Sequence, residues 1–283
     1  MNTLNDGTLQ VPGANLYYKV RGVGPVLLIL QGGAADSEGS ESLVKHLVGQ
    51  YTTVTYDRRG LSRSKLNDPA EALRIGTHSD DAHRLLAALT TEPAFVLGVS
   101  IGALIGLDLV ARHPEQVSLL VAHEPPAAEL LPDDERARAR QVHEEVEQIY
   151  HSEGVAAAMK RMVAVSEVKF DDREPEVVLP QVDRQRAATM AANMNFFLLR
   201  DAPAAHQYKW DVAALKAVRD RILPAAGRTS GETMPRHSAI ALANRLGTPV
   251  VEFPGGHSAY VLRPKEFASR LNEVLRASMK TDG

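Results

Sequence analysis

Ala94-Phe95-Val96-Leu97-Gly98-Val99-Ser100-Ile101-Gly102-Ala103-Leu104-Ile105-Gly106-Leu107 is the stretch whose reading decides the fold. Its first six residues form an apolar run of strand length that stops at a serine, which predicts a buried strand over 94–99. The residues that follow, Ile101 to Arg112, are apolar nearly all round, which predicts a buried helix. The joint between them reads Gly98-Val99-Ser100-Ile101-Gly102, a G-x-S-x-G pattern. By chance this pattern turns up in roughly one chain in ten, so its setting carries the weight. A sharp strand-to-helix turn lifts a serine hydroxyl above the sheet and makes it a nucleophile. Glycine is needed on either side because backbone and helix come close together there. The plain alternative is a glycine-containing turn with an ordinary serine.

Outward from this joint, strands and helices alternate. Leu9 to Val11 and Leu16 to Val20 read as strands around the turn Pro12-Gly13-Ala14-Asn15. Pro25 to Leu30 is a buried strand ending in Gln31-Gly32-Gly33, Ser40 to Val48 has helical spacing, and Thr52 to Tyr56 is a strand. Ser79 to Leu89 is an amphipathic helix with Ser79 as its cap, and Val117 to Ala122 is another strand. Continuously apolar strands that alternate with helices predict an α/β fold with a mostly parallel, doubly wound sheet covered on both faces. The alternation stops near Glu124. From Pro125 to about Lys209 the chain is helical and charged. Strands resume at Arg221 to Ala226 and Pro249 to Phe253, and Pro264 to Ser278 closes the chain as a helix. The expected division is a core of residues 1–124 and 210–283, with 125–209 as a helical cap over the sheet's C-terminal edge.

Composition narrows the partners. The 283 residues carry a net charge of −3, with 44% hydrophobic and 24% charged residues, which is ordinary for a soluble globular protein. A chain of this size buries roughly 75% of its unfolded surface and needs no cross-links. The absence of a basic face argues against nucleic acid and anionic membranes as partners. With no cysteine there is no disulfide, thiolate metal site or cysteine nucleophile, and no metal or cofactor is expected. Met1 to Gln10 is polar and lacks a signal pattern, and no run of 18 apolar residues occurs, so a cytoplasmic location is the default expectation. Nothing in the sequence sets the oligomeric state.

Three further loops carry a resemblance. Gln31-Gly32-Gly33 follows the third strand, Asp57-Arg58-Arg59-Gly60-Leu61-Ser62-Arg63-Ser64 follows the fourth, and Pro254-Gly255-Gly256-His257-Ser258 precedes the last helix. With the Ser100 joint they make the chain resemble the α/β-hydrolase superfamily from end to end, with some similarity to its zearalenone-lactonase-type members. The resemblance implies Ser100 as nucleophile and His257 as the base that takes its proton. It also implies an oxyanion hole from the backbone N–H of Ile101 and one of Gly32 or Gly33, Gly33 for preference, each donor worth about 3 kcal/mol. Gln31 replaces the family's usual histidine, and Ser62 replaces the second glycine of the loop after Asp57. That loop reads as structural, tied down by Asp57 and Arg59. His46, His78, His83, His143, His151, His206 and His237 read as surface residues, while His113 and His123 lie near the sheet.

The triad's acid departs from the commoner pattern. Gly227-Arg228-Thr229-Ser230 has serine where many relatives carry aspartate, and a serine cannot carry the charge that stabilises an imidazolium. Glu124, which closely follows the strand Val117 to Ala122, is the expected acid, with Glu232 as the alternative and a salt-bridge role for Glu124 also open. Met190, Met194 and Phe197 recur at helical spacing and share a face, which either packs the cap on the core or lines the pocket against an apolar small molecule. The implied reaction is hydrolysis of a carboxylic ester or lactone through an acyl-enzyme. Carbon–carbon bond hydrolysis, cofactor-free perhydrolysis and a non-catalytic binding role on the same fold remain open at this point.

Overall fold

The computed structural model describes residues 5–166, 172–177 and 181–279. Residues 1–4 of the polar N-terminus, and 167–171 and 178–180 of the expected cap, lie outside the described residues.

The chain opens with a hairpin of β1 (Asn5–Val11) and β2 (Ala14–Gly22), followed by β3 (Val26–Leu30), β4 (Thr52–Tyr56) and the short β5 (Lys65–Leu66). Next come β6 (Ala94–Val99), β7 (Val117–His123), β8 (Ile222–Gly227) and β9 (Val251–Phe253). The sheet order is β1-β2-β4-β3-β6-β7-β8-β9, with β5 on β2. Every pair that involves β2 is antiparallel and every other pair is parallel. The helices around the first half are α1 (Glu41–Val44), α2 (Ile75–Leu89) and α3 (Ile101–Arg112). Between β7 and β8 lie α4 (Asp133–Glu153), α5 (Val155–Ser166), α6 (Arg184–Phe196), α7 (Ala202–His206) and α8 (Val212–Ala217). The last part adds α9 (Met234–Leu246), α10 (Ala259–Leu262) and α11 (Pro264–Met279).

The strand period of two explains the continuous apolar runs. Leu28, Leu30, Val96 and Leu120 point to one face and pack with Leu85 and Leu86 of α2 and Leu104 of α3. Their neighbours Leu27, Ile29, Phe95 and Leu97 point to the other, against Leu43 of α1 and Phe267 and Leu271 of α11. Each such side chain contributes about 1.5–3 kcal/mol by leaving water.

The boundaries of β4, β6 and α3 match the sequence reading, while others differ: β1 begins at Asn5 instead of Leu9 and β2 runs Ala14–Gly22 instead of Leu16 to Val20, because the hairpin pairs over its whole length. α2 starts at Ile75, behind Arg74, and Ser79 lies fully buried inside it instead of capping it. Ile75, Ala82, Leu85 and Leu86 all bury on that helix, and this burial outweighs the roughly 1 kcal/mol that a cap offers. Only Glu41–Val44 of the expected helix 40–48 is α-helical. α9 has no counterpart in the sequence reading, although Pro235 in its first turn and Gly247 just past its end are ordinary helix boundary signals.

β3 continues outward to β4 while β6 lies on its other side, so the strand order reverses between β3 and β6. Ligands bind at the C-terminal ends of strands at such a reversal. The loop Gln31-Gly32-Gly33 leaves β3 there, Ser100 leaves β6, and Glu124 leaves β7.

Candidate active site

Ser100 sits between β6 and α3 with φ 53° and ψ −122°, a left-handed conformation that ordinary residues avoid. Among the described residues only Ser62 and Glu124 join it as non-glycines with positive φ. Such strain costs of order 1–3 kcal/mol and persists where surrounding bonds over-determine it. Here the Ser100 N–H donates to the His123 carbonyl at 2.9 Å, and the Ser100 carbonyl accepts from the Ala103 N–H at 2.9 Å. The flanking glycines are obligatory. A Cβ on Gly102 would lie 2.0 Å from the Leu30 carbonyl oxygen, and one on Gly98 would lie 2.5 Å from Ala103 Cα.

Glu124 is fully buried, and its N–H donates to the Ala225 carbonyl at 2.9 Å, which locks its backbone to β8. Its Oε2 is 2.7 Å from Nδ1 of His257. Its Oε1 accepts from the Gly227 N–H at 2.8 Å and from the Ser230 hydroxyl at 2.5 Å. Burial pushes this carboxyl up, but the hydrogen bond from His257, the positive charge that His123 and His257 can bear, and the Ser230 hydroxyl outweigh it and hold it at about 2. An ionised carboxylate only accepts, so His257 carries a proton on Nδ1, which leaves Nε2 as its basic nitrogen. Glu232 points elsewhere: its exposed carboxylate meets Nε2 of His237 at 3.0 Å. Ser230, where the resemblance leads one to expect an aspartate, thus donates to Glu124. The sequence reading saw Ser230 only as a missing charge.

A depressed carboxyl stabilises the fold above its unfolded pKa, and that stability is lost as pH falls through the folded value. The Glu124 contribution is therefore complete above its unfolded value of 4.5 and disappears toward about 2. Between pH 5 and 2, denaturant titrations should show the parent losing more stability than Glu124→Gln; parallel losses would refute the assignment.

Gly32, Gly33 and Ile101 border the same cavity as Ser100 and His257. Tyr260, a buried residue that the sequence reading does not single out, also lines the cavity, and its hydroxyl is pushed up to about 12 mainly by burial. Gly33 has φ 50°, in the region that favours glycine. Gln31 is fully buried and outside the cavity wall. The Asp57 loop is held as expected: Asp57 accepts from the Ser37 N–H at 2.9 Å, and Arg59 pairs twice with Asp81 at 2.7 and 2.6 Å. Ser62 holds a left-handed turn at φ 47°, a conformation that favours glycine. Ser100 Oγ makes no hydrogen bond among the described residues and borders the cavity.

The cavity has a volume of about 1090 Å³. Met190, Met194 and Phe197 all line it, from α6 and the residue after it. Glu135, Arg138, Glu147 and Tyr150 also line it. Several histidines depart from the surface reading. His78 is buried on α2, and His143, His206 and His237 line the cavity, the first two with stacked rings 4.2 Å apart. His78 sits on the buried face of a helix longer than expected, and the others face a cavity that only the fold creates. His83 stacks on His113 at 3.8 Å, and His123 is fully buried against Phe253 and Phe267. Among the described residues no group of side chains is arranged to hold a metal ion, and no helix is long and apolar enough to cross a membrane.

Comparison with known proteins agrees with this architecture. The family model for the α/β-hydrolase fold matches residues 25–264. An uncharacterized hydrolase of Bacillus subtilis, YraK, is 43% identical over 282 residues, covering 98% of each chain. A zearalenone hydrolase of Cladophialophora bantiana is 26% identical, covering 96% of this chain and 97% of its own. A thermophilic esterase from Thermogutta terrifontis superposes with a TM-score of 0.74 at 19% identity, covering 98% of this chain and 99% of that one.

Proposed function

The chain belongs to the α/β-hydrolase fold family, and from that premise we propose that it cleaves a carboxylic ester or lactone through an acyl-enzyme on Ser100. The observation that carries this reading is the 2.7 Å contact of buried Glu124 with His257 Nδ1, made beside a cavity that the strained Ser100 also borders. In this reading His257 Nε2 takes the Ser100 proton as Oγ attacks the carbonyl carbon. The oxyanion forms against the N–H groups of Gly33 and Ile101. The protonated imidazole then gives its proton to the leaving alcohol, and water repeats the sequence to release the acid. A serine here argues against chemistries that need a carboxylate nucleophile. The relatives named as an esterase and a zearalenone hydrolase lend the ester and lactone classes support by likeness alone.

The test is direct. Purified protein should hydrolyse p-nitrophenyl esters and react with a fluorophosphonate probe at Ser100. Absence of both turnover and labelling would end the reading. The partner proposed is an apolar small molecule, held by Met190, Met194 and Phe197. Met194→Ala should then change KM most among substrates that differ in bulk. An unchanged substrate preference with a lower melting temperature would make this face a packing surface only.

A further inference from the structure

Arg58 is the residue of the loop Asp57-Arg58-Arg59-Gly60 to which the sequence assigns no role, yet its side chain is only 2% exposed. A guanidinium stays charged when buried, so the destinations of its donors define what it does. Nη1 donates to the Gln31 carbonyl at 2.9 Å. Nη2 donates to the Gly33 carbonyl and to Asp201 Oδ2, the latter at 2.9 Å. Asp201 is fully buried, and its Oδ1 lies 3.2 Å from His78 Nε2, which must therefore carry that ring's proton.

These contacts fix three consecutive peptide planes. In a trans peptide the N–H points opposite to the carbonyl of the preceding residue. Arg58 pins the Gln31 carbonyl, hence the Gly32 N–H, and it pins the Gly33 carbonyl at the far end of the turn. Between them, the Gly32 carbonyl accepts from the Ala35 N–H at 3.1 Å, which aims the Gly33 N–H the opposite way. Glycine at φ 50° has no side-chain barrier to hold this orientation unaided. The other end of the clamp belongs to the insertion between β7 and β8. Asp201 closes a π-helical turn, Phe197–Asp201, and Phe197, Leu198 and Leu199 of that turn line the cavity. Single π turns recur at functional sites.

We propose that Arg58 is a positioning residue of the oxyanion site, holding the Gly33 amide in place through the carbonyls of Gln31 and Gly33 while buried Asp201, at the end of the π-helical turn, sets Arg58. The inference rests on the acyl-enzyme reading above. Arg58→Lys keeps the charge but loses the fork, since an ammonium is a point donor that cannot span two carbonyls and a carboxylate in one plane. A donor displaced by about 1 Å costs on the order of a hundredfold in rate.

The experiment compares the parent, Arg58→Lys and Asp201→Asn. It measures kcat and KM on a p-nitrophenyl ester, affinity for an aryl boronic acid, which forms a tetrahedral adduct with the serine, and affinity for the matching unreactive aryl ether. Arg58→Lys should lower kcat by about a hundredfold and weaken the boronic acid in proportion, with KM and ether affinity nearly unchanged. Asp201→Asn should give a smaller loss of the same kind, because Arg58 keeps its carbonyl bonds. An unchanged kcat, or equal weakening of ether and boronic acid, would overturn the proposal and leave the clamp as packing. If neither variant folds, a structure of the parent with the boronic acid decides. A boronate oxygen on the Gly33 N–H with Arg58 still on both carbonyls supports the clamp, and its release from them refutes it. A parent that shows neither turnover nor labelling sinks the hydrolase reading itself, a result distinct from any of these.

Discussion

Ser100→Ala is expected to lower kcat by a factor on the order of a million while leaving the fold intact. The size follows from the triad acting as a unit. Without Oγ there is no atom for His257 to deprotonate and no acyl-enzyme, so only binding and oxyanion stabilisation remain. Folding should survive because the tertiary bonds at this position are made by the backbone: the Ser100 N–H to the His123 carbonyl, and the Ser100 carbonyl to the N–H of Ala103. The side chain contributes no hydrogen bond among the described residues, and alanine is as small as serine in the tight turn. Circular dichroism, steady-state kinetics and fluorophosphonate labelling check the three parts. A variant that retains full turnover would remove serine catalysis from consideration.

Glu124→Gln should come next in size, with kcat reduced by about ten-thousandfold. The amide keeps the shape of the carboxylate but splits its two acceptors into one acceptor and one donor. Gly227 N–H and the Ser230 hydroxyl both donate to Oε1, while His257 Nδ1 faces Oε2. A glutamine that satisfies the Gly227 N–H with its oxygen turns its NH₂ toward His257. That forces the imidazole proton onto Nε2, the nitrogen that has to be free to take the Ser100 proton. The opposite orientation restores the tautomer but sets the NH₂ against the Gly227 N–H, and it lacks the charge that stabilises the imidazolium. Glu232→Gln should have little effect, because that carboxylate is exposed and paired with His237. If the ranking of the two variants reversed, the acid would be Glu232, and Glu124 would keep only its structural bonds to β8.

The legible parts of this molecule were those where one local rule was enough. Strand 94–99 and helix 101–112 have their limits written in an apolar run, a serine and a glycine pair. Helix α2 begins four residues ahead of Ser79 because a capping serine is a weak local preference, and burial of Ile75, His78 and Ala82 overrides it. Ser230 was visible as an exception to a pattern, but its hydroxyl on Glu124 spans 106 positions in the chain. Arg58 and Asp201 lie 143 positions apart, a pairing that no local pattern encodes.

The sequence by itself determined the α/β alternation and the turn that carries Ser100. These follow from side-chain periodicity and from backbone positions that only glycine tolerates, and both are local properties. Tertiary structure alone decided which carboxylate meets His257, which histidines face the cavity, and what fixes the Gly33 amide. Those outcomes depend on where β7, β8 and the insertion come to lie against one another. A hydrogen bond depends on distances of a few tenths of an ångström between groups that the chain keeps a hundred residues apart.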